Sequence, residues 1–268
     1  MCLLCVEQRA ARPLDTRALS RILLLGLPLL AACDKGSEPQ DTQDTSPTVE
    51  AVCEDPVEVE CLDELILNLG LQDGEEVSAG EVVSTASGGE FTLQIDATGG
   101  GISQAPSAPW VYVRFEDDGA VKVELGDEEA LESMDWHLAA KRYLLRLNGG
   151  SSGPSCVGAI PLLETAYEDT TALDADAEFL VDDFFTSDCT LINDSSGLEG
   201  SPQLALSSWW SYPGCVATTA VPFVVRLDDG RQLKLVVDSY YASGQENCNE
   251  TGAMGSGSAN FTMRWSWL

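Results

Sequence analysis

The chain has 268 residues, 14 Lys and Arg against 44 Asp and Glu, and a formal net charge of −30. A hydrophobic share of 44% is enough to bury a core, which excludes wholesale disorder. Removing the residues ahead of Cys33 takes away Arg9, Arg12, Arg17 and Arg21 but only Glu7 and Asp15, leaving 10 basic and 42 acidic residues; a phosphate backbone repels such a surface, so nucleic acid is a poor partner.

The N-terminus reads as an address. Ile22 to Leu30 is an apolar run preceded by Arg17 and Arg21. It is too short to span a bilayer, which takes about 20 residues, but it suits the apolar part of a signal peptide. It ends in Leu30-Ala31-Ala32-Cys33. That tetrapeptide resembles the lipobox of bacterial lipoproteins, in which the cysteine is lipidated and becomes the new N-terminus. The reading is therefore a signal peptide over 1–32, a lipidated acidic tether over 33–56 and a folded domain over 57–268. The tether is rich in Asp, Glu, Thr, Ser and Pro without apolar period. The membrane is the first partner, through the anchor, and the cell envelope, at the outer membrane, is the expected location.

The domain reads as all-β. Leu62 to Leu71 fits a short helix or a buried strand equally. Trp110 to Glu116, Asp117-Asp118-Gly119 and Ala120 to Leu125 form a predicted hairpin. Its alternation favours a three-residue loop that opposes Phe115 with Val121 and Val113 with Val123. Trp136 to Gly150 concentrates three basic residues, Lys141, Arg142 and Arg146, and from Trp136 to Leu145 it reads as one continuous strand. Its plain interpretation is a central strand with paired cations, its functional one a platform for a flat anionic ligand. Val221 to Leu227, Asp228-Asp229-Gly230 and Arg231 to Asp238 form a second hairpin, again with a three-residue loop, opposing Val225 with Leu233 and Phe223 with Leu235. Asn260 to Leu268 alternates as a terminal strand. Turn signals separate the segments.

Six cysteines follow the tether's start: Cys53, Cys61, Cys156, Cys189, Cys215 and Cys248. An even number in an exported chain points to disulfides, with 15 connectivities open. Cys53 and Cys61 are near enough to close a local loop. Zinc is disfavoured, because no CxxC occurs among these six and His137 is the only histidine. Gly149 to Gly153 matches GxSxG, but Pro154 follows at once where an elbow needs a helix, so a turn is expected and no enzyme activity. Asp174-Ala-Asp176-Ala-Glu178 opens like a calcium loop, yet Phe179 stands where the sharp turn needs glycine. No metal site is expected, and Gly252 to Ser258 reads as a flexible loop.

One stretch has a familiar order. Asp135-Trp136-His137-Leu138-Ala139-Ala140-Lys141-Arg142-Tyr143, then Asn148-Gly149-Gly150 and Ser152-Gly153, resembles the HmuY family of bacterial haem-binding lipoproteins. Thr170 to Asp183, Phe223 to Tyr241 and Phe261-Thr-Met-Arg264 extend the resemblance over roughly 57–268. It implies an HmuY-like fold of antiparallel sheets, non-enzymatic capture of haem or a related porphyrin for uptake, and haem donor proteins or an uptake receptor as partners. In that family two axial His or Met side chains hold the iron. Here no His or Met occurs from Leu138 to Ala253. The remaining candidates are His137, Met134, Met254 and Met263, with Met254 and His137 named as the candidate haem ligands. Tyr212, Tyr240 and Tyr241 are further ligand types that haem iron accepts. His137 stands where the family usually has Asp, and Met263 lies within a strand, where packing is the default for a thioether. The alternative reading is a surface interaction or structural lipoprotein that uses the scaffold without a cofactor.

Overall fold

A computed structural model describes residues 52–268. The signal segment 1–32, Cys33 and the tether as far as residue 51 lie outside the described residues. Those described contain two hydrophobic cores and three disulfides, and a chain without residues 1–33 retains all of them.

The first element is a helix, α1 (Leu62–Leu69), which settles the ambiguity of that stretch. Leu65 and Leu69, four residues apart, share its buried face, and Asp63 and Glu64 sit in its first turn, where the helix dipole favours negative charge. Gly70 ends it in the left-handed conformation (φ 58°), turning its N–H to the Ile66 carbonyl.

Strands follow almost without interruption: β1 (Val82–Ser87), β2 (Glu90–Asp96), β3 (Val111–Glu116) and β4 (Gly119–Val123). After the short helix α2 (Asp127–Ala130) come β5 (Leu138–Lys141), β6 (Leu144–Leu147), β7 (Gly158–Pro161), β8 (Trp210–Ser211), β9 (Ala217–Thr218), β10 (Phe223–Arg226) and β11 (Gln232–Tyr241). Helix α3 (Glu246–Thr251) and β12 (Ser258–Trp267) complete the fold. Every named strand pair is antiparallel. The larger sheet has the order β1-β2-β12-β11-β10-β7, the smaller β4-β3-β5-β6, and β8-β9 form a ribbon. The chain is thus the all-β, antiparallel fold expected.

The terminal strand shows how pattern becomes layer. In β12, Ala259, Phe261, Met263 and Trp265 are buried and alternate with half-buried neighbours. They form part of the main core with Leu93 and Ile95 of β2, Val113 and Phe115 of β3 and Leu233 and Leu235 of β11. Trp265 stacks on Phe91 at 4.3 Å and meets Phe115 edge-on at 5.0 Å. A second core gathers Leu65 and Leu69 of α1, Trp110, Tyr112, Trp136 and Phe184. Within this cluster the Arg146 guanidinium lies over the rings of Trp110, Tyr112 and Trp136, at 4.8, 5.3 and 5.0 Å.

The second hairpin has the expected register, with Val225 opposite Leu233 and Phe223 opposite Leu235. Gly230 (φ 82°) supplies the left-handed residue of its three-residue loop. The first hairpin departs by one residue. Phe115 opposes Ala120, Val113 opposes Lys122, and Asp117-Asp118 alone make the turn. Alternation misjudges it because β3 is buried on both sides: Val113 and Phe115 enter the main core, and Tyr112 the second. Lys122 is tolerated because its ammonium reaches the Ser78 carbonyl (2.6 Å) and the Glu124 carboxylate (2.9 Å) while its stem stays in the layer. The strand expected over Trp136 to Leu145 is instead a hairpin, with Lys141 opposite Leu144 and a turn at Arg142-Tyr143. Arg142 takes a left-handed φ of 53°, a conformation that sequence readers expect of Gly or Asn.

Each disulfide closes a long loop: Cys53–Cys156, Cys61–Cys189 and Cys215–Cys248. A local Cys53–Cys61 loop does not form. Both backbone amides of Val52 and Cys53 are within hydrogen-bond reach of the Asp228 carbonyl, so residues at the end of the expected tether already run along the domain. Cys61, at the start of α1, turns instead toward the 189 loop. No helix among the described residues is long and apolar enough to cross a membrane.

Candidate functional site

A concavity of about 650 Å³ opens beside the β5–β6 turn. Ligand sites usually fall in the range of about 300–1,000 Å³. Four segments build it. The C-terminal turn of α1 contributes Leu67 to Gly70, and the turn beyond β2 contributes Ile102, Ala105 and Pro106. The β5–β6 turn supplies Lys141 to Leu144. The end of β11 brings Tyr240 and Tyr241, beside Tyr212, Val216 and the Met254-Gly255 loop.

Its rim is apolar and open to solvent. Leu67 is 73% exposed, Ile102 79% and Met254 69%. Single exposed apolar residues mean little, but several around one cleft mark a binding surface. The floor is aromatic: Tyr240 and Tyr241 are buried and meet edge-on at 5.0 Å. Gly255 lies so close to the Tyr241 ring that a Cβ there would be 2.7 Å from its Cγ, so the loop needs glycine at this point. The hairpin tip is fixed by Tyr143, whose ring packs on Trp210 at 4.8 Å.

Two cations stand in this apolar setting. Lys141 donates to the Gly70 carbonyl at the end of α1 (2.7 Å), and burial pulls its ammonium down to about 8. Arg142 donates to the Ser258 hydroxyl (2.9 Å), and its backbone N–H donates to the Ala97 carbonyl. Among the described residues neither forms an ion pair; Arg114, Lys122, Arg231 and Arg264 do, while Arg146, Arg226 and Lys234 also form none. Both cations thus reach this cleft held by backbone or hydroxyl oxygens and not by a carboxylate at ion-pair distance. The left-handed backbone at Arg142, a conformation costing on the order of 1–3 kcal/mol, aims that side chain at the cleft.

The tyrosines are held as phenols. Burial pushes Tyr240 up to about 12. It also raises Tyr241, whose hydroxyl accepts the Val216 N–H (3.0 Å), and Tyr143.

The expected site residues are partly gathered here. Met254, Tyr212, Tyr240 and Tyr241 line the cleft. His137 lies elsewhere: it is buried, its Nδ1 accepts the Phe115 N–H (3.0 Å), and its Nε2 is 3.4 Å from the Asp228 carboxylate. With both nitrogens engaged it bridges the two hairpins, and the structure does not bring it together with Met254. Met263 is packed in the main core, and Met134 lines a shallow surface hollow beside His137. Lys141 and Arg142 are two of the three residues of the basic cluster visible in the sequence; the third, Arg146, lies apart from the cleft over the rings of Trp110, Tyr112 and Trp136. The contribution of α1 and of Ile102 was not visible there, because no local pattern says which distant loops meet. The GxSxG stretch is a turn between β6 and β7, with Ser152 buried. Residues 174–178 are loop. Among the described residues no group of three or more His, Cys, Asp or Glu side chains is placed to hold a metal ion.

Two antiparallel sheets that share one core thus carry an apolar cleft bearing two cations. The family model described as HmuY protein matches residues 107–251, more than half the chain, and the chain belongs to the HmuY family. The match includes the β5–β6 turn, Tyr212 and the end of β11, and stops short of Met254. No curated protein matches the chain. Among solved structures it is similar to a Bacteroides vulgatus protein described as HmuY-like and haem-binding, with 19% identity, 71% of this chain and 97% of that one covered, and a TM-score of 0.43. It is also similar to a Bacteroides fragilis lipoprotein (15% identity, 69% and 95% covered, TM-score 0.38). A third likeness is to the apo HmuY analogue of Tannerella forsythia (16% identity, 72% and 98% covered, TM-score 0.39).

Proposed function

We propose that the chain is a membrane-anchored lipoprotein that captures haem or a related porphyrin in this cleft and holds it for uptake. The observation that carries the reading is the pair Lys141 and Arg142, cations without carboxylate partners in an apolar, aromatic-floored cleft of a protein with net charge −30. A porphyrin dicarboxylate is complementary to that arrangement: its flat apolar face suits Leu67, Ile102 and the tyrosines, and its carboxylates suit the two cations. Iron bound in the macrocycle accepts His, Met, Tyr or Cys. Met254 and Tyr212, at the mouth, are the side chains that would meet it, while His137 is committed to Phe115 and Asp228. Cys33 would carry the lipid, and the acidic segment after it would set the domain off from the outer-membrane surface. Donor proteins and an uptake receptor are the partners this function requires.

The exposed rim supports a second reading, a surface interaction protein that docks a partner through Leu67 and Ile102 with no cofactor. Haemin titration of the chain lacking residues 1–33 separates the two. A saturable, shifted Soret band at one equivalent, weakened by Arg142→Gln, is the expected result. Absence of any specific band would remove the porphyrin reading and leave the docking one.

A further inference from the structure

The side chains around the cleft differ in which part of a porphyrin they could hold. Those able to ligate iron are few and badly distributed. Met254 and Tyr212 arise from adjoining segments of one wall. A Cβ on Gly214 would lie 3.5 Å from the Gly252 carbonyl oxygen, and the Cys215–Cys248 disulfide crosses between the same segments. Gln245 ties that wall further, its amide donating to the Val216 carbonyl (2.9 Å). The wall made by α1 and the Ile102 to Pro106 turn offers aliphatic side chains and the amide of Asn68. That amide donates to the Glu64 carbonyl (2.7 Å). The floor tyrosines are buried phenols, and Tyr241 is engaged by Val216. Two axial ligands must approach iron from opposite faces of the ring, and one wall cannot provide both. The residues thus suit the macrocycle and its carboxylates, and they do not suit an axial pair.

We infer that this cleft selects its ligand by the apolar ring and the two carboxylates, through Lys141 and Arg142, and not by the metal, so that it binds metal-free porphyrin dicarboxylates as readily as haem. The inference rests on the porphyrin reading above and narrows it: the ligand class is the dicarboxylate tetrapyrrole, loaded or empty. Binding energy then comes from apolar area and two charge-assisted contacts, neither of which senses iron.

The test uses the chain lacking residues 1–33, titrated with haemin, with metal-free protoporphyrin IX and with protoporphyrin IX dimethyl ester, followed by quenching of tryptophan fluorescence. Haemin and metal-free protoporphyrin are expected to bind with dissociation constants within about threefold of each other. The dimethyl ester should bind at least about tenfold more weakly, because its carboxylates carry no charge. In Met254→Ala any loss of affinity should be the same, within about threefold, for haemin and for metal-free protoporphyrin. Haemin binding about 30-fold or more tighter than metal-free protoporphyrin, with Met254→Ala abolishing the gap, would overturn the inference and leave haem capture standing. An ester that binds as well as the free acid would overturn the role of the two cations. If none of the three binds, both the inference and the porphyrin reading fall.

Discussion

Asp182 shows how one residue can carry a charge into a core and what that costs. Its carboxylate is fully buried and accepts backbone N–H groups from Leu147 (2.9 Å) and Ala205 (2.7 Å). Burial outweighs these bonds and pushes its titration up to about 6. In the unfolded chain the same group titrates near the ordinary carboxylate value of about 3.9. Between these two values the folded state binds more protons than the unfolded one, so stability falls as pH rises from about 4 to about 6 and is level above that, by on the order of 2–3 kcal/mol. Asp228, lowered chiefly by its bond to His137, acts the other way, losing its contribution only below the ordinary carboxylate range, outside that window. Urea midpoints measured at about pH 4.5 and about pH 7 should therefore favour the acidic sample, and Asp182→Asn should flatten the difference. A native chain that is more stable at the higher pH, with the same slope in the variant, would refute this account. The sequence showed Asp182 only as one of many acidic residues. Its burial arises from β6 and the 205 loop converging on it, which no local spacing encodes.

At the scale of elements, disulfides and turns decide how the cleft is held. The Cys215–Cys248 bridge fastens α3 to the segment before β9, beside polar ties from Asn249 to the backbone of Thr218, at 3.1 Å for both the donated and the accepted bond. A loop of this length, 33 residues of separation, is worth about 3–4 kcal/mol in chain entropy. Replacing both cysteines with alanine should lower the thermal midpoint by roughly 10 °C. A change of only a degree or two would mean that Asn249 and Gln245 hold this wall without the bridge. The turns tell a complementary story about legibility. The β10–β11 loop was readable because Gly230 announces it and the registered residues lie clearly on a buried face. The β3–β4 loop misled because both faces of β3 are buried, so period-two alternation carries little register information. The Arg142-Tyr143 turn was hidden because Arg142 occupies a left-handed position without the glycine that normally signals one.

For the whole molecule, the central question is how a strongly acidic domain is presented to its surroundings. The proposed anchor makes a simple prediction. Full-length protein made in a bacterium should partition into detergent, and Cys33→Ala should move it to the aqueous phase, because the variant has no thiol at this position to carry the acyl chains. Persistent detergent partitioning of the variant would refute the anchor at Cys33.

The sequence by itself determined the fold class, the register of the β10–β11 hairpin, the terminal strand, the even complement of six cysteines and the family resemblance. All of these rest on local period, turn chemistry or motif order, which a linear chain displays directly. Tertiary structure alone decided which cysteines pair, that His137 is spent on holding two hairpins together, and that Lys141 and Arg142 sit without carboxylate partners in one cleft with Leu67, Ile102 and Met254. Each of those facts depends on contacts between residues tens to more than a hundred positions apart. Such contacts are set by how the two sheets pack and which loops that packing brings together, and neighbouring residues hold no record of them.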